Sequence, residues 1–564
     1  MTAAGPTLAA RLCASFAEAP DRPALHLLQA RQPDQTVTYR GLLAGAAGYA
    51  RAYAAAGLRP GEVVVLILQH GEALVYAFWG AILYGAAPSI MPFLTEKLAP
   101  ERYRQELAAL VEITRPAGLV TYPEFAVEVE GALAGLAASP VRAVLLSSDV
   151  TPAPDAAPDG WAGLARAPED MALLQHSSGT TGLQKGVALS HQAVLNQLEC
   201  YANAIHLSGD DVVVSWLPLY HDMGLIAGFV LPVIQRVPLV LMSPFDWVRA
   251  PYRLVQAVSR YRGTLTWLPN FAFNFCARKV RDRDLEGVDL SSWRAVINCS
   301  EPMRWESHAA FQERFAPYGL RPQALATCYA MAENVFAVTQ GGLDAPVAVD
   351  EVDRRALISD QVARPANGGE SLKLLSAGRP LANTQVRVVD ARRRAVPERQ
   401  VGEIALRSDC LLSGYYHRPD LTAQAFHEGW YLTGDLGYQA GGELYVTGRQ
   451  KDLIIVGGKN VHPQDLEALA SEVPGVHPGR VVAFGLFNTD AGTEDVVVVA
   501  EVDSDDEAER QRVADAIRQR VNRGSDVAVR VVHVVAARWV LKTSSGKVAR
   551  GANREKYLSE APSV

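Results

Sequence analysis

One stretch of the chain combines residue types that could bind phosphate: His176-Ser-Ser-Gly-Thr-Thr-Gly-Leu-Gln-Lys-Gly186. The backbone N–H groups and hydroxyls of such a loop can turn toward a polyphosphate, and Lys185 adds a positive charge. The loop is not a Walker A motif, because Val187 follows Lys185-Gly186 where that motif requires Lys followed by Ser or Thr. The residues that could hold phosphate are Ser177, Ser178, Gly179, Thr180, Thr181, Gly182 and Lys185.

The elements on either side must fix this loop in place. Met171-Ala-Leu-Leu-Gln175 is a short apolar run that predicts a buried strand, and a helical pattern begins after Ser190, which is placed as its N-cap. A flexible Gly/Ser linker is the alternative interpretation. Linkers rarely lie between a buried strand and a capped helix, so the sequence favours a phosphate-binding loop.

The loop resembles the signature loop of the adenylate-forming superfamily, which comprises acyl-CoA synthetases, peptide-synthetase adenylation domains, luciferases and fatty acyl-AMP ligases. Further motifs that match this superfamily run in order from about Ser177 to Arg550. The resemblance implies an enzyme that uses ATP and Mg²⁺ without a tightly bound organic cofactor. It also implies a large N-terminal domain of stacked α/β sheets with a small β-subdomain, followed by a small mobile C-terminal α/β domain.

The segment Tyr329-Ala-Met-Ala-Glu-Asn334 resembles the superfamily's Tyr-Gly-x-[Thr/Ala]-Glu motif, with Ala330 in place of the usual glycine. By this resemblance Tyr329 stacks on adenine, and Glu333 helps bind the Mg²⁺ that shields the phosphates from an incoming carboxylate. A glutamate taken alone would more often be a surface carboxylate. The adenine pocket that the resemblance implies comprises Ser300, Glu301, Pro302, Tyr329, Ala330, Met331 and Ala332.

Two further motifs concern the ribose and a hinge. Tyr431-Leu-Thr-Gly-Asp-Leu-Gly437 matches a motif whose aspartate, here Asp435, accepts hydrogen bonds from both ribose hydroxyls. Taken alone, Thr-Gly-Asp is more often a turn. By resemblance Arg449 contacts the ribose and phosphate, and Lys451 occupies the hinge on which the C-terminal domain pivots.

The segment Leu541-Lys-Thr-Ser-Ser-Gly-Lys-Val-Ala-Arg550 resembles the superfamily's terminal motif. Its lysine, here Lys547, reaches the active site for the first half-reaction only. The attacking carboxylate and the α-phosphate are both anionic, so a mobile cation between them stabilises the charge that builds up as they meet. A solvated basic tail is the alternative, which the ordered series of motifs disfavours.

The string Trp216-Leu-Pro-Leu-Tyr-His-Asp-Met-Gly-Leu225 resembles the fatty acyl-AMP ligase branch. His221 lies where the family keeps a histidine or aromatic residue beside the acyl carbonyl, although a lone histidine is more often a core residue. Several apolar residues could line an acyl tunnel, with ordinary core packing at least equally expected for each: Trp216, Met223, Trp267, Phe271 and Phe273.

The acyl acceptor is the least determined part of this interpretation. Acyl-AMP ligases carry an insertion that CoA ligases lack and that disfavours CoA transfer by limiting rotation of the C-terminal domain. The segment from Glu333 to Gly378 is long enough to contain it, and Asp350-Glu-Val-Asp-Arg-Arg-Ala-Leu357 resembles it. However, Asn334–Thr339 and Cys299-Ser300 depart from the family pattern. We expect an acyl carrier protein as acceptor, with CoA as the alternative.

The elements that position these motifs follow an α/β pattern. Apolar runs of strand length, separated by intervals of helix length, predict open parallel sheets in the N-terminal domain; they occur at residues 61–68, 86–91, 118–122, 143–147, 212–216, 237–242, 264–267 and 295–298. Shorter strands and more frequent glycine turns predict a β-rich subdomain at 375–447. We expect domains at 1–449 and 450–564.

Composition limits the class of protein further. A chain of 564 residues is too long for a single hydrophobic core, so two or more domains are expected. A net charge of −7 without blocks of like charge argues against nucleic acid as a partner. The six cysteines form no C-x-x-C pair, so neither a zinc site nor a disulfide framework is expected. With no signal peptide at the N-terminus, a cytoplasmic protein is the default expectation.

A membrane span is not expected either. The most apolar stretch, Ala73–Leu94, is near the required length, but Gly80, Gly85, Pro88 and Pro92 interrupt it, which favours a buried helix followed by a strand.

The sequence therefore predicts an enzyme that activates a carboxylic acid, in particular a fatty or related acyl chain, to acyl-AMP and then transfers it to a thiol. A non-catalytic nucleotide-binding relative is the alternative from another class. The intact Lys185, Glu333, Asp435, Arg449 and Lys547 argue against that alternative.

Overall fold

The computed structural model describes residues 6–30, 32–93, 100–177, 185–456, 459–488, 493–525, 527–543 and 546–560. Most of the predicted phosphate loop, residues 178–184, lies outside these ranges, as does the side chain of Ser177.

The first part of the chain alternates helices and strands, as predicted. Its elements are α1 (Leu8–Glu18), β1 (Pro23–Leu28), β2 (Gln35–Thr38), α2 (Tyr39–Ala55), β3 (Val63–Leu66), α3 (Glu72–Tyr84), β4 (Ala87–Ile90), α4 (Pro100–Thr114), β5 (Gly118–Thr121), α5 (Ala126–Ala134), β6 (Ala143–Leu146), β7 (Met171–Ser177), β8 (Lys185–Ser190), α6 (His191–Ala204) and β9 (Val213–Ser215).

A π-type helix at Met223–Val230 opens the second part of the chain. It is followed by α7 (Leu231–Ile234), β10 (Leu239–Met242), α8 (Pro244–Arg249), α9 (Tyr252–Tyr261), β11 (Leu265–Leu268), α10 (Asn270–Lys279), β12 (Ala295–Asn298), α11 (Trp305–Phe315), β13 (Leu325–Ala330), β14 (Ala337–Gly341), β15 (Val349–Asp353), α12 (Arg354–Ser359), β16 (Ser371–Leu375) and β17 (Arg379–Pro380).

The last part of the chain is richer in strands. It contains β18 (Thr384–Val389), β19 (Gly402–Ser408), β20 (Gly414–Tyr415), α13 (Pro419–Ala425), β21 (Phe426–His427), β22 (Trp430–Ala440), β23 (Glu443–Arg449), β24 (Ile454–Val456), β25 (Lys459–Val461), α14 (Pro463–Ser471), β26 (Val476–Asn488), β27 (Thr493–Val502), α15 (Glu507–Gly524), β28 (Val529–Ala536) and α16 (Arg550–Glu560).

Two largely parallel sheets form the N-terminal body. In the described part of the chain the larger has the strand order β17-β14-β13-β12-β11-β9-β10-β1-β2, and the smaller has the order β4-β3-β5-β6. Strands β3, β10, β11 and β12 are buried along their whole length, as expected for short apolar strands covered on both faces. The predicted α/β class with open parallel sheets is confirmed.

The region of the phosphate loop differs from the expected strand, loop and helix. A further strand, β8, follows the loop and pairs antiparallel with β7, and β20 pairs with its other edge. Its apolar run, Val187-Ala-Leu189, was too short to be distinguished from the helix that follows. The N-cap prediction is confirmed, because Ser190 Oγ accepts a hydrogen bond from the backbone N of Ala193 at 3.1 Å.

The apolar stretch near residue 80 forms α3 and β4, in agreement with the expected buried helix and strand. No helix in the described ranges has both the length and the apolar character needed to cross a membrane.

A small antiparallel sheet follows the large one, with order β18-β19-β22-β21 and β23 paired to β22. The long segment before it, at residues 349–375, forms β15, α12 and β16; we call this segment the insertion. Asp350 of the insertion binds Arg399 at 3.0 Å and accepts a hydrogen bond from Tyr438 at 2.8 Å. Val352 and Leu357 are buried against the same sheet, so the insertion is part of the folded body.

The C-terminal unit is a compact α/β structure. Strands β26, β27 and β28 form its sheet, and α14 and α15 pack on one face through buried residues that include Leu466, Val498 and Ile517. Helix α16 covers the other face, where Tyr557 packs against Phe484. The predicted small C-terminal α/β unit is confirmed, while the exact boundary between the domains stays a prediction.

Candidate active site

Three predicted nucleotide-binding residues meet where the large sheet and the antiparallel sheet adjoin. Tyr329, in β13, donates a hydrogen bond through its hydroxyl to Asp435 Oδ2 at 2.6 Å. Arg449 Nε donates to Asp435 Oδ1 at 3.0 Å. Asp435 and Arg449 are direct partners in the β22–β23 register, which explains the spacing of these two motifs along the chain. Asp435 itself is buried.

The turn that presents Asp435 is held by a residue that sequence reasoning missed. Gly434 has φ +71°, a conformation that favours glycine, and its backbone N donates to Glu403 Oε1 at 3.0 Å. Glu403 is buried and paired with Arg393. A glutamate inside the apolar strand Gly402-Glu-Ile-Ala-Leu406 was the available signal, because a buried carboxylate needs partners.

Glu333 and Lys185 both contact Tyr415, which the sequence did not identify. The Tyr415 hydroxyl donates to Glu333 Oε1 at 3.1 Å, and Lys185 Nζ lies 4.8 Å from the centre of the Tyr415 ring. Tyr415 also shares a hydrogen bond of 3.0 Å with the Tyr431 hydroxyl. Burial raises the pKa of the Glu333 carboxyl, and the hydrogen bond from Tyr415 opposes this shift.

The surroundings of Glu333 fit Mg²⁺ better than a metal that is held by protein side chains alone. Within the described ranges no three His, Cys, Asp or Glu side chains come together as a metal-binding group. Mg²⁺ commonly uses one or two carboxylates together with substrate phosphates and water. Glu333 has the hard oxygen donor that this arrangement needs.

The segment Ser300-Glu-Pro302 follows the carboxyl end of β12. Ser300 has φ +73°, which is unusual for a residue with a side chain and indicates a tightly determined backbone. Glu301 Oε2 accepts a hydrogen bond at 3.0 Å from the backbone N of Phe271, in the first turn of α10. Burial raises the pKa of Glu301, and the positive charge of Lys547 opposes that shift.

The C-terminal unit carries Lys547 into this site. Its backbone N donates to Thr543 Oγ1 at 3.2 Å, and Gly546 turns with φ +86° beside it. The Gly546 turn faces Phe271, since a Cβ added there would lie 3.7 Å from the phenyl ring. The loop of Lys547 therefore rests against the first turn of α10.

The charge of Lys547 reaches His221, Asp222 and Glu301, as its effect on their pKa values indicates. Burial lowers the pKa of His221 to about 3, and Lys547 acts in the same direction, so the imidazole is neutral at neutral pH. Burial raises the pKa of Asp222, which Lys547 opposes. Asp222 was not singled out from the sequence, although it directly follows His221.

The predicted hinge residue lies next to an ion-pair network inside the C-terminal unit. Burial lowers the pKa of Lys451, and the nearby positive charge of Arg449 adds to this effect. The next residue, Asp452, binds Arg550 at 2.8 Å, and Arg550 also binds Glu467 at 2.7 Å. This network joins the start of the unit to the end of the Lys547 loop.

Four of the five residues suggested for an acyl tunnel separate into two groups. Trp267 donates through Nε1 to the Tyr201 hydroxyl at 2.8 Å, and Phe273 stacks on His308, so both belong to the core. Trp216 stacks on Trp247 with ring centres 3.6 Å apart, and Phe271 lies 6.3 Å from the Trp216 ring. This second group is next to the site, because Phe271 touches both Glu301 and the Lys547 loop.

Comparisons with known proteins address the family to which the chain belongs. The family model of AMP-binding enzymes matches residues 13–416. The chain is 36% identical over 416 residues to 4-hydroxyphenylalkanoate adenylyltransferase of Mycobacterium tuberculosis, which covers 69% of this chain and 65% of that enzyme. It is 34% identical over 410 residues to medium-chain-fatty-acid–[acyl-carrier-protein] ligase JamA of Moorena producens, with 69% and 68% coverage.

The solved structures include a similar molecule. A structure from work on the fatty acyl-adenylate ligases of E. coli and L. pneumophila superposes with a TM-score of 0.90 and 28% sequence identity, covering 99% of both chains. Both sheets and the C-terminal unit are therefore shared. Since the family model extends over well more than half of the sequence, the chain belongs to the family of AMP-binding enzymes.

Proposed function

We propose that this chain is an acid–thiol ligase that works in two half-reactions. In the first, ATP and a carboxylic acid give an acyl-adenylate and pyrophosphate. In the second, a thiol attacks the mixed anhydride, a thioester forms and AMP leaves. The observation that carries the proposal is the position of the Lys547 loop: its Gly546 turn faces Phe271, whose backbone N donates a hydrogen bond to Glu301 at 3.0 Å.

The nucleotide is bound by the Tyr329, Asp435 and Arg449 group. A carboxylate offers about four acceptor positions, so Asp435 can bind ribose hydroxyls in addition to its protein donors. Tyr329 presents an aromatic face to adenine, and Ser300-Glu-Pro302 forms the opposite wall. The loop that includes Lys185 holds the phosphates through backbone N–H groups and positive charge.

In the first half-reaction a carboxylate oxygen of the acid attacks the α-phosphate, and pyrophosphate is the leaving group. Both reactants are anionic, so Lys547 stabilises the charge that accumulates in the transition state. His221 is uncharged because of its low pKa, and it can donate a hydrogen bond to the acid without adding a charge. When bound through Glu333, Mg²⁺ would neutralise part of the charge on the phosphates.

The second half-reaction requires the thiol to reach the same carbonyl carbon. We propose that the C-terminal unit then turns at Lys451 and withdraws Lys547. The Asp452–Arg550–Glu467 network supports this idea, because it keeps the unit rigid from the hinge to the Lys547 loop. A rotation at residue 451 would therefore move the lysine as part of one body.

The acceptor we propose is the phosphopantetheine thiol of an acyl carrier protein. The insertion supports this choice, because Arg354 and Ile358 of α12 line a small cavity together with Val461, His462 and Leu466 of the C-terminal unit. An insertion packed against the unit biases it against rotation. A carrier protein can offset that bias with contacts of its own, whereas CoA has fewer contacts to contribute.

The proposed substrate is a fatty acid or a related carboxylic acid. One relative is named for medium-chain fatty acids and another for 4-hydroxyphenylalkanoates, so both classes belong in a substrate screen.

We place the reaction in the cytoplasm, because the six cysteines are free and a reducing compartment suits them.

A pyrophosphate-release screen tests the proposal. Medium-chain, long-chain and hydroxyphenylalkanoic acids are each incubated with ATP and Mg²⁺, and the acyl-adenylate is identified by mass spectrometry. Holo-acyl carrier protein and CoA are then compared as acceptors. We expect acyl-AMP to accumulate when CoA is present and to be consumed when holo-carrier protein is added. Efficient acyl-CoA formation would favour a CoA ligase, and no pyrophosphate release with any acid would favour a non-catalytic nucleotide-binding protein.

Replacing Glu333 with glutamine is expected to lower the apparent affinity for Mg²⁺ about tenfold, because one charged ligand is lost. In the wild type this affinity should fall as the pH decreases, since Mg²⁺ binds the carboxylate and burial raises the pKa at which Glu333 takes up a proton. The glutamine variant should lack this part of the pH dependence. Mg²⁺ titrations of the pyrophosphate release rate at a series of pH values measure both effects. Glu18→Gln, at an exposed carboxylate, is the control.

Replacing Ile358 with aspartate is expected to raise CoA transfer severalfold. The new charge would face Val461 and Leu466 and weaken the contact between the insertion and the C-terminal unit. This change is preferable to deleting residues 350–370, because Val352 and Asp350 are packed or paired within the body. Acyl-CoA formation is measured beside Val349→Asp, at an exposed position of the same insertion. Unchanged acceptor preference in a folded variant would contradict the role given to the insertion.

A further inference from the structure

Arg304 lies where three parts of the molecule meet. It follows Ser300-Glu-Pro302 and directly precedes α11. Its backbone N donates to the Asn270 side chain at 3.0 Å, and its backbone pairs with Leu374 of the insertion strand β16. The main chain of Arg304 is therefore fixed to the large N-terminal body and to the insertion.

The side chain of Arg304 crosses to the C-terminal unit. One terminal guanidinium nitrogen donates to the carbonyl oxygen of Gln464 at 3.2 Å and lies 3.9 Å from Asp465 Oδ1. Both partners belong to the first turn of α14. The side chains of Arg304 and Asp465 are 35% and 25% exposed, so water only partly screens the pair.

The turn that Arg304 contacts is packed closely against the body. A Cβ added to Gly448 would lie 2.5 Å from His462 Nδ1 and 2.9 Å from Gln464 Nε2, which shows how near the start of α14 comes to the end of β23. The contact of Arg304 with Gln464 thus belongs to a specific docked position of the C-terminal unit.

Helix α14 is also connected to Lys547 through side-chain contacts. Glu467, one turn further along the helix, accepts hydrogen bonds from Arg550 at 2.9 and 2.7 Å. Arg550 closes the loop that carries Lys547 and is bound to Asp452 near the hinge. Whatever holds the first turn of α14 in place therefore also restrains the position of Lys547.

We propose that Arg304 is a positioning residue for adenylate formation, and this inference rests on the proposed function. It holds the C-terminal unit in the arrangement that presents Lys547, by a contact that exists only while α14 is docked on the body. Arg304 stays with the N-terminal body when the unit turns, whereas Gln464 and Asp465 leave with the unit. A contact made in one of two arrangements shifts the equilibrium between them by its own free energy.

The first test separates the half-reactions. Arg304→Ala is expected to lower the turnover of adenylate formation about tenfold, the effect of losing one charge-assisted hydrogen bond. The KM for ATP and the thiolysis of pre-formed acyl-AMP should not change. Arg304→Lys should recover part of the loss, because an ammonium group can still donate to the Gln464 carbonyl. Arg40→Ala removes an exposed pair with Asp21 on another face and serves as the control.

The second test does not depend on catalysis. Spin labels on cysteines introduced at Val248 and Leu558, which are 52% and 54% exposed, report the distance between the body and α16. Five of the six native cysteines are buried and Cys200 is half-buried, so Cys200→Ser removes the main competing label site. In the Arg304→Ala protein we expect a larger fraction of molecules in which the distance between the two labels differs from that of the docked arrangement.

Three results would overturn the inference. One is a raised KM for ATP with unchanged turnover, which would make Arg304 a support of the adenine wall. Another is an equal loss in both half-reactions, and the third is an unchanged distance distribution. If the wild type forms no acyl-AMP, the proposed function fails, while the distance measurement still decides the role of Arg304.

Discussion

Replacing Lys547 with alanine is expected to slow acyl-adenylate formation by two to three orders of magnitude. Removing a preorganised cation from the meeting point of two anions costs ~3–4 kcal/mol of transition-state stabilisation. The positive charge of Lys547 influences the pKa values of His221, Asp222 and Glu301, and the Gly546 turn next to it lies against Phe271. Single-turnover pyrophosphate release measures the effect.

Thiolysis of pre-formed acyl-AMP should survive in the same variant, because in the proposed mechanism the C-terminal unit has withdrawn the lysine before this step. Lys556→Ala is the matched control, since this lysine lies over Trp539 on the surface of the same unit. An equal loss of both half-reactions in a folded Lys547→Ala protein would show that one arrangement of the unit serves both steps.

The second large effect is expected at Asp435. Its replacement with alanine removes the acceptor for the ribose and leaves Tyr329 and Arg449 without their shared partner. Losing two hydrogen bonds to a charged group should lower kcat/KM for ATP about a hundredfold, mainly through KM. Steady-state kinetics at varied ATP concentration gives both constants.

Asp390→Asn is a suitable control for this variant, because Asp390 binds Arg394 in a surface turn of the same subdomain. A variant of Asp435 with wild-type KM for ATP would place the ribose elsewhere. Thermal unfolding should accompany the measurement, since Asp435 is buried and its loss can also lower stability.

Much of the fold was predictable because its signals are local. The strands at Val63–Leu66, Leu265–Leu268 and Ala295–Asn298 follow directly from short apolar runs. The N-cap at Ser190 was equally visible, since a serine before a helical pattern has a specific role. Strand β8 was missed, because a run of three apolar residues before that cap carries no distinct period.

The candidate site was predictable only in part. Tyr329, Glu333, Asp435 and Lys547 lie in ordered motifs, so a resemblance could identify them. Tyr415, Glu403 and Arg304 act through partners far away along the chain, and no local pattern marks such contacts. Asp222 and the Trp216–Trp247 stack likewise depend on burial, which only the folded chain determines.

The stacked indoles of Trp216 and Trp247 have an optical consequence. Two parallel rings whose centres are 3.6 Å apart behave as a coupled chromophore, with near-ultraviolet circular dichroism unlike that of isolated tryptophans. The Phe271 ring lies 6.1 Å from Trp247 and is covered by the Lys547 loop. In the proposed mechanism, withdrawal of that loop would change the surroundings of the pair. The pair therefore offers an internal spectroscopic signal for the proposed movement between half-reactions, which Trp216→Phe would separate from the signals of the seven tryptophans outside the pair, of the 9 in the chain.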